Sequence, residues 1–142
     1  AFLAPEGGLN SGHMIVQVAA ASLVSENKIL SHPASVDSIP TSADKEDHVS
    51  MGTIAARKFG QIVTNCEHVI AMEMLSSTQA LDMLKPLEPT SAVKACLDEI
   101  RKEVPFAEKD RVFSDDVEKI QTMIKDDRIY QTIRECVGDL EW

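Results

Sequence analysis

An all-α fold is what this sequence predicts, and three observations predict it. Ala, Ile, Val, Leu and Met supply the apolar mass while aromatic residues make up only 4%, a balance that favours helix over strand. Apolar residues recur at threes and fours through a long proline-free stretch, with Met51, Ala55, Phe59, Ile62, Cys66 and Val69 in step. Prolines gather at the breaks instead, Pro33 and Pro40 in one and Pro86 and Pro89 in another, where the residue before each proline is pushed away from helix. With 142 residues and 44% apolar content, the chain is long enough to bury a core as one unit.

A Gly-rich segment, Glu6 to Gly12, leads into a first helix from Met14 to Leu30, whose Lys28 suits a helix C-terminus. Ser31 to Ala43 reads as a loop. Asp44 then looks like an N-cap followed by acidic first-turn residues, and a long helix is expected from about Glu46 to Lys85. Around Val69 to Leu75 its apolar residues cover most of the circumference, which implies burial on several sides. About 40 helical residues span ~60 Å, whereas a 142-residue globule is only ~37 Å across. Such a helix cannot be wrapped by this chain alone. After the Pro86 to Pro89 break, three shorter helices are expected at Ala92 to Val104, Asp115 to Lys125 and Arg128 to Val137, with Ser91 and Ser114 as N-caps. Residues 61–142 hold 17 acids against 10 bases, so this tail reads as a solvated outer layer.

The net charge of -9 repels phosphate backbones and anionic lipid, which argues against nucleic acid and membrane partners. Met14 to Val24, the longest apolar run, is interrupted by Gln17 and is about half the ~20 residues a membrane span needs. Cys66, Cys96 and Cys136 are odd in number and lack Cys-x-x-Cys spacing, so they read as reduced, buried small hydrophobes of a cytoplasmic protein. The beginning, Ala1-Phe2-Leu3-Ala4-Pro5, reads like the inside of a longer protein and suggests a fragment.

Glu46, Asp47 and His48 form the densest titratable cluster, suited to proton transfer or to hydrogen bonding a polar ring. The plainer reading is that the two acids stabilise a helix N-terminus, and successive helix residues point ~100° apart, so all three cannot face one ligand. No metal site is expected, because His13, His32, His48 and His68 show no His-x-x-x-His pairing. Gly7, Gly8 and Gly12 do not form a phosphate loop. Met14, between His13 and Ile15, reads by itself as a core residue.

Two stretches carry a resemblance. Gly7-Gly8-Leu9-Asn10-Ser11-Gly12-His13-Met14-Ile15 and His32 to Ala43, continuing into Glu46-Asp47-His48-Val49-Ser50-Met51-Gly52, closely resemble the histidine ammonia-lyase family. The resemblance covers roughly the first 60 residues; the remainder is compatible with that family's C-terminal helices. It implies an L-aspartase-like architecture in which long helices from four subunits share a central bundle, dividing this chain into an active-site helix and loop (1–45), a bundle helix (46–85) and peripheral helices (86–142). It also implies elimination of ammonia from L-histidine to give trans-urocanate in a cytoplasmic homotetramer.

In that family an internal Ala-Ser-Gly cyclises into a methylidene-imidazolone (MIO) electrophile. Here Ala21-Ser22 is followed by Leu23 and Ala34-Ser35 by Val36, so the electrophile, with the family's catalytic tyrosine and carboxylate-binding arginine, is expected in an absent N-terminal portion. This chain alone is then expected to be inactive. Glu46 matches the family's glutamate beside the substrate imidazole, credited with hydrogen bonding or proton handling, and Met14 matches a methionine lining the same pocket. Asp47 and His48 match the motif too and are read as helix-end and packing residues. Two departures stand out: Asp44-Lys45 replaces the usual Asn-Gln, and His13 replaces an apolar residue. Lys45 is placed to pair with Glu46 or to lower its pKa, and His13 bears on the wall beside Met14. Rival readings are a tyrosine or phenylalanine ammonia-lyase or aminomutase, and a noncatalytic helical oligomerisation module.

Overall fold

The computed structural model describes residues 2–139. It contains α1 (Met14–Leu30), β1 (Ile39–Thr41), β2 (Glu46–His48), α2 (Gly52–Met83), α3 (Ser91–Arg101), α4 (Phe113–Lys125) and α5 (Arg128–Val137). The predicted helical architecture holds, with one small antiparallel hairpin added.

α1 has the predicted bounds and stops at Ser31, two residues before Pro33. The long helix begins at Gly52, later than the predicted Glu46, and Asp44 is no N-cap. Ser42, Ala43 and Asp44 instead take left-handed φ values of 53°, 55° and 63°, reversing the chain in a four-residue loop between β1 and β2. The acids that resemble a helix first turn therefore lie on a ribbon whose six strand residues are all exposed. Pro40 is tolerated because the ribbon has two edges and no central strand.

α2 runs 32 residues, or ~48 Å, which still exceeds the ~37 Å width of a globule of this size. Its buried residues are Asn65 near the middle and Ala71, Leu75, Thr78 and Gln79 in the C-terminal half. The first three turns are uncovered, with Phe59 67% exposed. Burial around 69–75 is one-sided: Ala71 and Leu75 are inside, while Ile70 is exposed.

The three following helices depart from expectation in a different way. They are no solvated outer layer, since Ile100, Val104, Phe113, Val117, Ile120, Met123 and Ile129 make up most of the core. α1 and α4 pack on α2, and α5 packs on α3 and α4. The surplus acids sit on the opposite faces and in ion pairs such as Arg128 with Glu99 at 2.7 Å. Thr90 and Val112, not Ser91 and Ser114, hold the N-cap positions, and neither makes a side-chain cap bond. Cys66 and Cys136 are exposed, contrary to the buried reading; Cys96 is half-buried, and burial pushes its thiol pKa up.

Candidate functional site

The segment before α1 is tied down from three sides. The Phe2 carbonyl accepts the His13 N–H at 2.8 Å. Gly12, at φ +57°, passes so close that a Cβ there would stand 2.4 Å from the Phe2 oxygen; only glycine fits this approach. From α2, the nearly inaccessible Gln79 donates through Nε2 to the carbonyls of Leu3 (3.2 Å) and Ala107 (2.9 Å), and its Oε1 accepts the Ala107 N–H at 3.0 Å. Asp110 accepts the N–H groups of Ser11 and Gly12.

This anchoring sets Met14 as the first residue of α1, with 41% of its surface open, while the preceding His13 turns inward to 5%. The His13 ring packs edge-on to Phe113 at 4.8 Å, and its Nδ1 lies 3.1 Å from the Ser76 hydroxyl. Burial first, then the Arg111 and Arg101 charges, hold its pKa below the ordinary 6.5, with Asp116 opposing. His13 thus turns into the interior while Met14 stays at the surface.

Glu46 stands on the hairpin, where its carboxylate accepts a hydrogen bond from the Ser42 hydroxyl across the turn at 3.1 Å. Lys45 makes no ion pair with it among the described residues. Pairing Thr41 with Glu46, Pro40 with Asp47 and Ile39 with His48 puts Glu46 and His48 on one face and Asp47 on the other, because strand side chains alternate. Helical spacing had separated all three; the strand joins two of them. Asp47 and His48 are neither helix-end nor packed residues, being exposed on the ribbon. Met14 and Glu46 occupy separate elements, and among the described residues no hydrogen bond joins the hairpin to α1. The loop before the hairpin is fastened to α2 by Lys58, whose Nζ donates to the His32 carbonyl.

Sequence reasoning missed Ser42, Gln79 and Asp110, which act on backbone or across a turn and carry no motif. Among the described residues no group of three His, Cys, Asp or Glu side chains is placed to hold a metal, and no helix is long and apolar enough to cross a membrane.

Residues 1–102 match the family described as aromatic amino acid lyase. The chain belongs to that family. Histidine ammonia-lyase 1 of Fusobacterium nucleatum is 49% identical to this chain over 143 residues, covering 100% of the chain and 28% of that protein. The crystal structure of histidine ammonia-lyase from Trypanosoma cruzi superposes with a TM-score of 0.90 at 44% identity, over 96% of this chain and 27% of that one. Tyrosine aminomutase from Streptomyces globisporus gives 0.88 at 32% identity, over 99% of this chain and 27% of its own. The chain therefore spans about a quarter of the length of these relatives, and its fold is shared with the two solved structures.

Proposed function

We propose that this chain forms one wall of the substrate pocket of a histidine ammonia-lyase, which eliminates ammonia from L-histidine to give trans-urocanate. The observation that carries the reading is the Glu46 carboxylate: it is presented on an exposed ribbon and, among the described residues, holds only the Ser42 hydroxyl. A carboxylate has about four acceptor positions on two oxygens, so Glu46 keeps capacity for an imidazole N–H. Met14, exposed at the start of α1, supplies an apolar contact beside the ring.

The MIO electrophile that the family uses supplies the electron sink for loss of the weakly acidic β-proton. It has no place among these residues, because no Ala-Ser-Gly occurs in positions 1–142. What this chain contributes is binding and orientation of the imidazole, and a carboxylate able to hold or accept a proton at Glu46. On its own it is expected to be inactive. The uncovered first three turns of α2 and the exposed apolar face of α1, including Ile15 and Val18, support packing into a homotetramer. A cytoplasmic setting accords with the chain's unpaired cysteines.

The similarity to a tyrosine aminomutase favours a second reading, in which the substrate is aromatic. Against it, a carboxylate facing a phenyl ring loses its hydrogen-bond partner at about 1–3 kcal/mol. Turnover of L-histidine, L-tyrosine and L-phenylalanine by the complete enzyme separates the two. Histidine is expected to give the highest kcat/KM; a preference for tyrosine or phenylalanine sinks the histidine reading.

A further inference from the structure

The connection between α3 and α4 makes a contact that the pocket reading of Met14 leaves unused. The Asp110 carboxylate accepts two consecutive backbone N–H groups, Ser11 through Oδ2 and Gly12 through Oδ1, both at 2.8 Å. The Asp110 N–H in turn donates to Asn10 Oδ1 at 3.2 Å. Three successive residues of the Gly-rich turn are thus held by one residue that lies about 100 positions away in sequence. Gly12 is the second residue before Met14.

Asp110 is itself fixed. Its neighbour Arg111 donates to the carbonyls of Pro105 (2.6 Å) and Phe106 (3.2 Å) and to the Asp116 carboxylate (2.7 Å). Arg111 therefore pins the connection to the base of α4, and Asp110 carries that rigidity across to the turn. α1 has no acid in its own first turn and no side-chain cap. The Asp110 carboxylate sits just ahead of that helix start, where negative charge is favoured by the helix dipole.

We infer that Asp110 is a positioning residue for substrate binding: by clamping the Ser11 and Gly12 amides it sets where α1 begins and hence where Met14 meets the substrate. Asp110 is exposed, so water can take over the two amides when the carboxylate is removed. The turn then stays folded but is free to shift, and the effect falls on substrate fit more than on stability. The inference rests on the reading of Met14 as a pocket residue and adds a specific residue outside the pocket that acts through it.

The test is a double-mutant cycle in the complete enzyme, with steady-state kinetics on L-histidine for Asp110→Asn, Met14→Ala and the pair. Asp110→Asn keeps the shape but turns one acceptor into a donor facing an N–H. It is expected to raise KM roughly tenfold with kcat changed less than about twofold. In the Met14→Ala background most of that effect is expected to vanish. Asp110→Glu, which keeps the charge and displaces it by one methylene, is expected to raise KM in the same direction and covers the case in which the Asn variant fails to fold. If Met14→Ala leaves turnover unchanged, the pocket reading of Met14 fails and the inference with it. If Met14→Ala impairs turnover while the Asp110 variants are neutral, or add their full loss to that of Met14→Ala, the inference alone is overturned.

Discussion

His13 and Met14 are adjacent and face opposite ways, and their difference in burial decides what each can do. Met14 is 41% open and is the residue proposed to meet the substrate; His13 is enclosed against Phe113 and Ser76, with cationic Arg111 and Arg101 nearby. Because burial and those charges lower its folded pKa, the unfolded chain binds the proton more readily. The stability that neutral His13 contributes is complete above its ordinary 6.5 and is lost as pH falls below that value toward the folded pKa. Melting curves of wild type and His13→Leu are expected to converge as pH drops from 7.5 to 5.5, and a constant gap contradicts a buried neutral histidine. Glu99 has the same sign in a more acidic window: hydrogen bonds from Lys102 and Arg128 hold its pKa below the ordinary 4.5. Its contribution is present above that value and is lost as pH falls through the folded pKa. Met14 and Glu46 are singled out in the sequence only through the motifs around them, since taken singly they look like a core methionine and a helix-end acid. Asp110 was not legible at all. Its partners are backbone amides about 100 residues away, and nothing in Glu108-Lys109-Asp110-Arg111 distinguishes it from a solvated charge run.

Among the elements, α1, α4 and α5 could be read to within about two residues, because local periodicity sets their limits, helped at α1 by Pro33 beyond its end. The hairpin could not. Acids ahead of an apolar run satisfy the rule for a helix start, yet the left-handed residues Ser42, Ala43 and Asp44 satisfy a tight reversal, and nothing local chooses between them. Three consecutive left-handed non-glycine residues cost about 1–3 kcal/mol each, and they return the chain so that Glu46 pairs with Thr41. Ala43→Gly, which removes the Cβ penalty at φ 55°, is expected to leave melting unchanged or raise it by up to about 1 kcal/mol; a clear loss of stability contradicts the strained turn. Gln79 is the reverse case, a polar side chain inside α2 that fits because it satisfies three backbone groups on two other segments. Gln79→Ala is expected to cost about 2–3 kcal/mol in denaturant unfolding by orphaning the buried Ala107 amide and carbonyl.

On the scale of the whole molecule, the core and the unsatisfied surface lie at opposite ends of α2. Its C-terminal half is enclosed by α1 and α4, with Ile100, Ile120 and Met123 fully buried nearby. Its N-terminal half carries Phe59 and Val63 into the open. The length of the periodic stretch foretold this overhang, because a helix longer than the globule must find partners elsewhere. What length and charge did not foretell is that the acidic tail supplies the core: net charge reports one face of an amphipathic helix, and α3 to α5 bury the other. Phe59→Glu in the complete enzyme is therefore expected to reduce its sedimentation toward smaller species. An unchanged oligomer contradicts a shared bundle at this end of α2.

The most direct measurement is kcat/KM for L-histidine in the complete enzyme carrying Glu46→Ala, with Glu46→Gln beside it. Loss of a hydrogen bond to the substrate imidazole predicts a fall of roughly 10- to 100-fold for the Ala variant. The Gln variant is expected to fall less where Glu46 only accepts a hydrogen bond, and as far where it also takes a proton. Histidine turnover untouched by Glu46→Ala would contradict the placement of this carboxylate against the substrate ring.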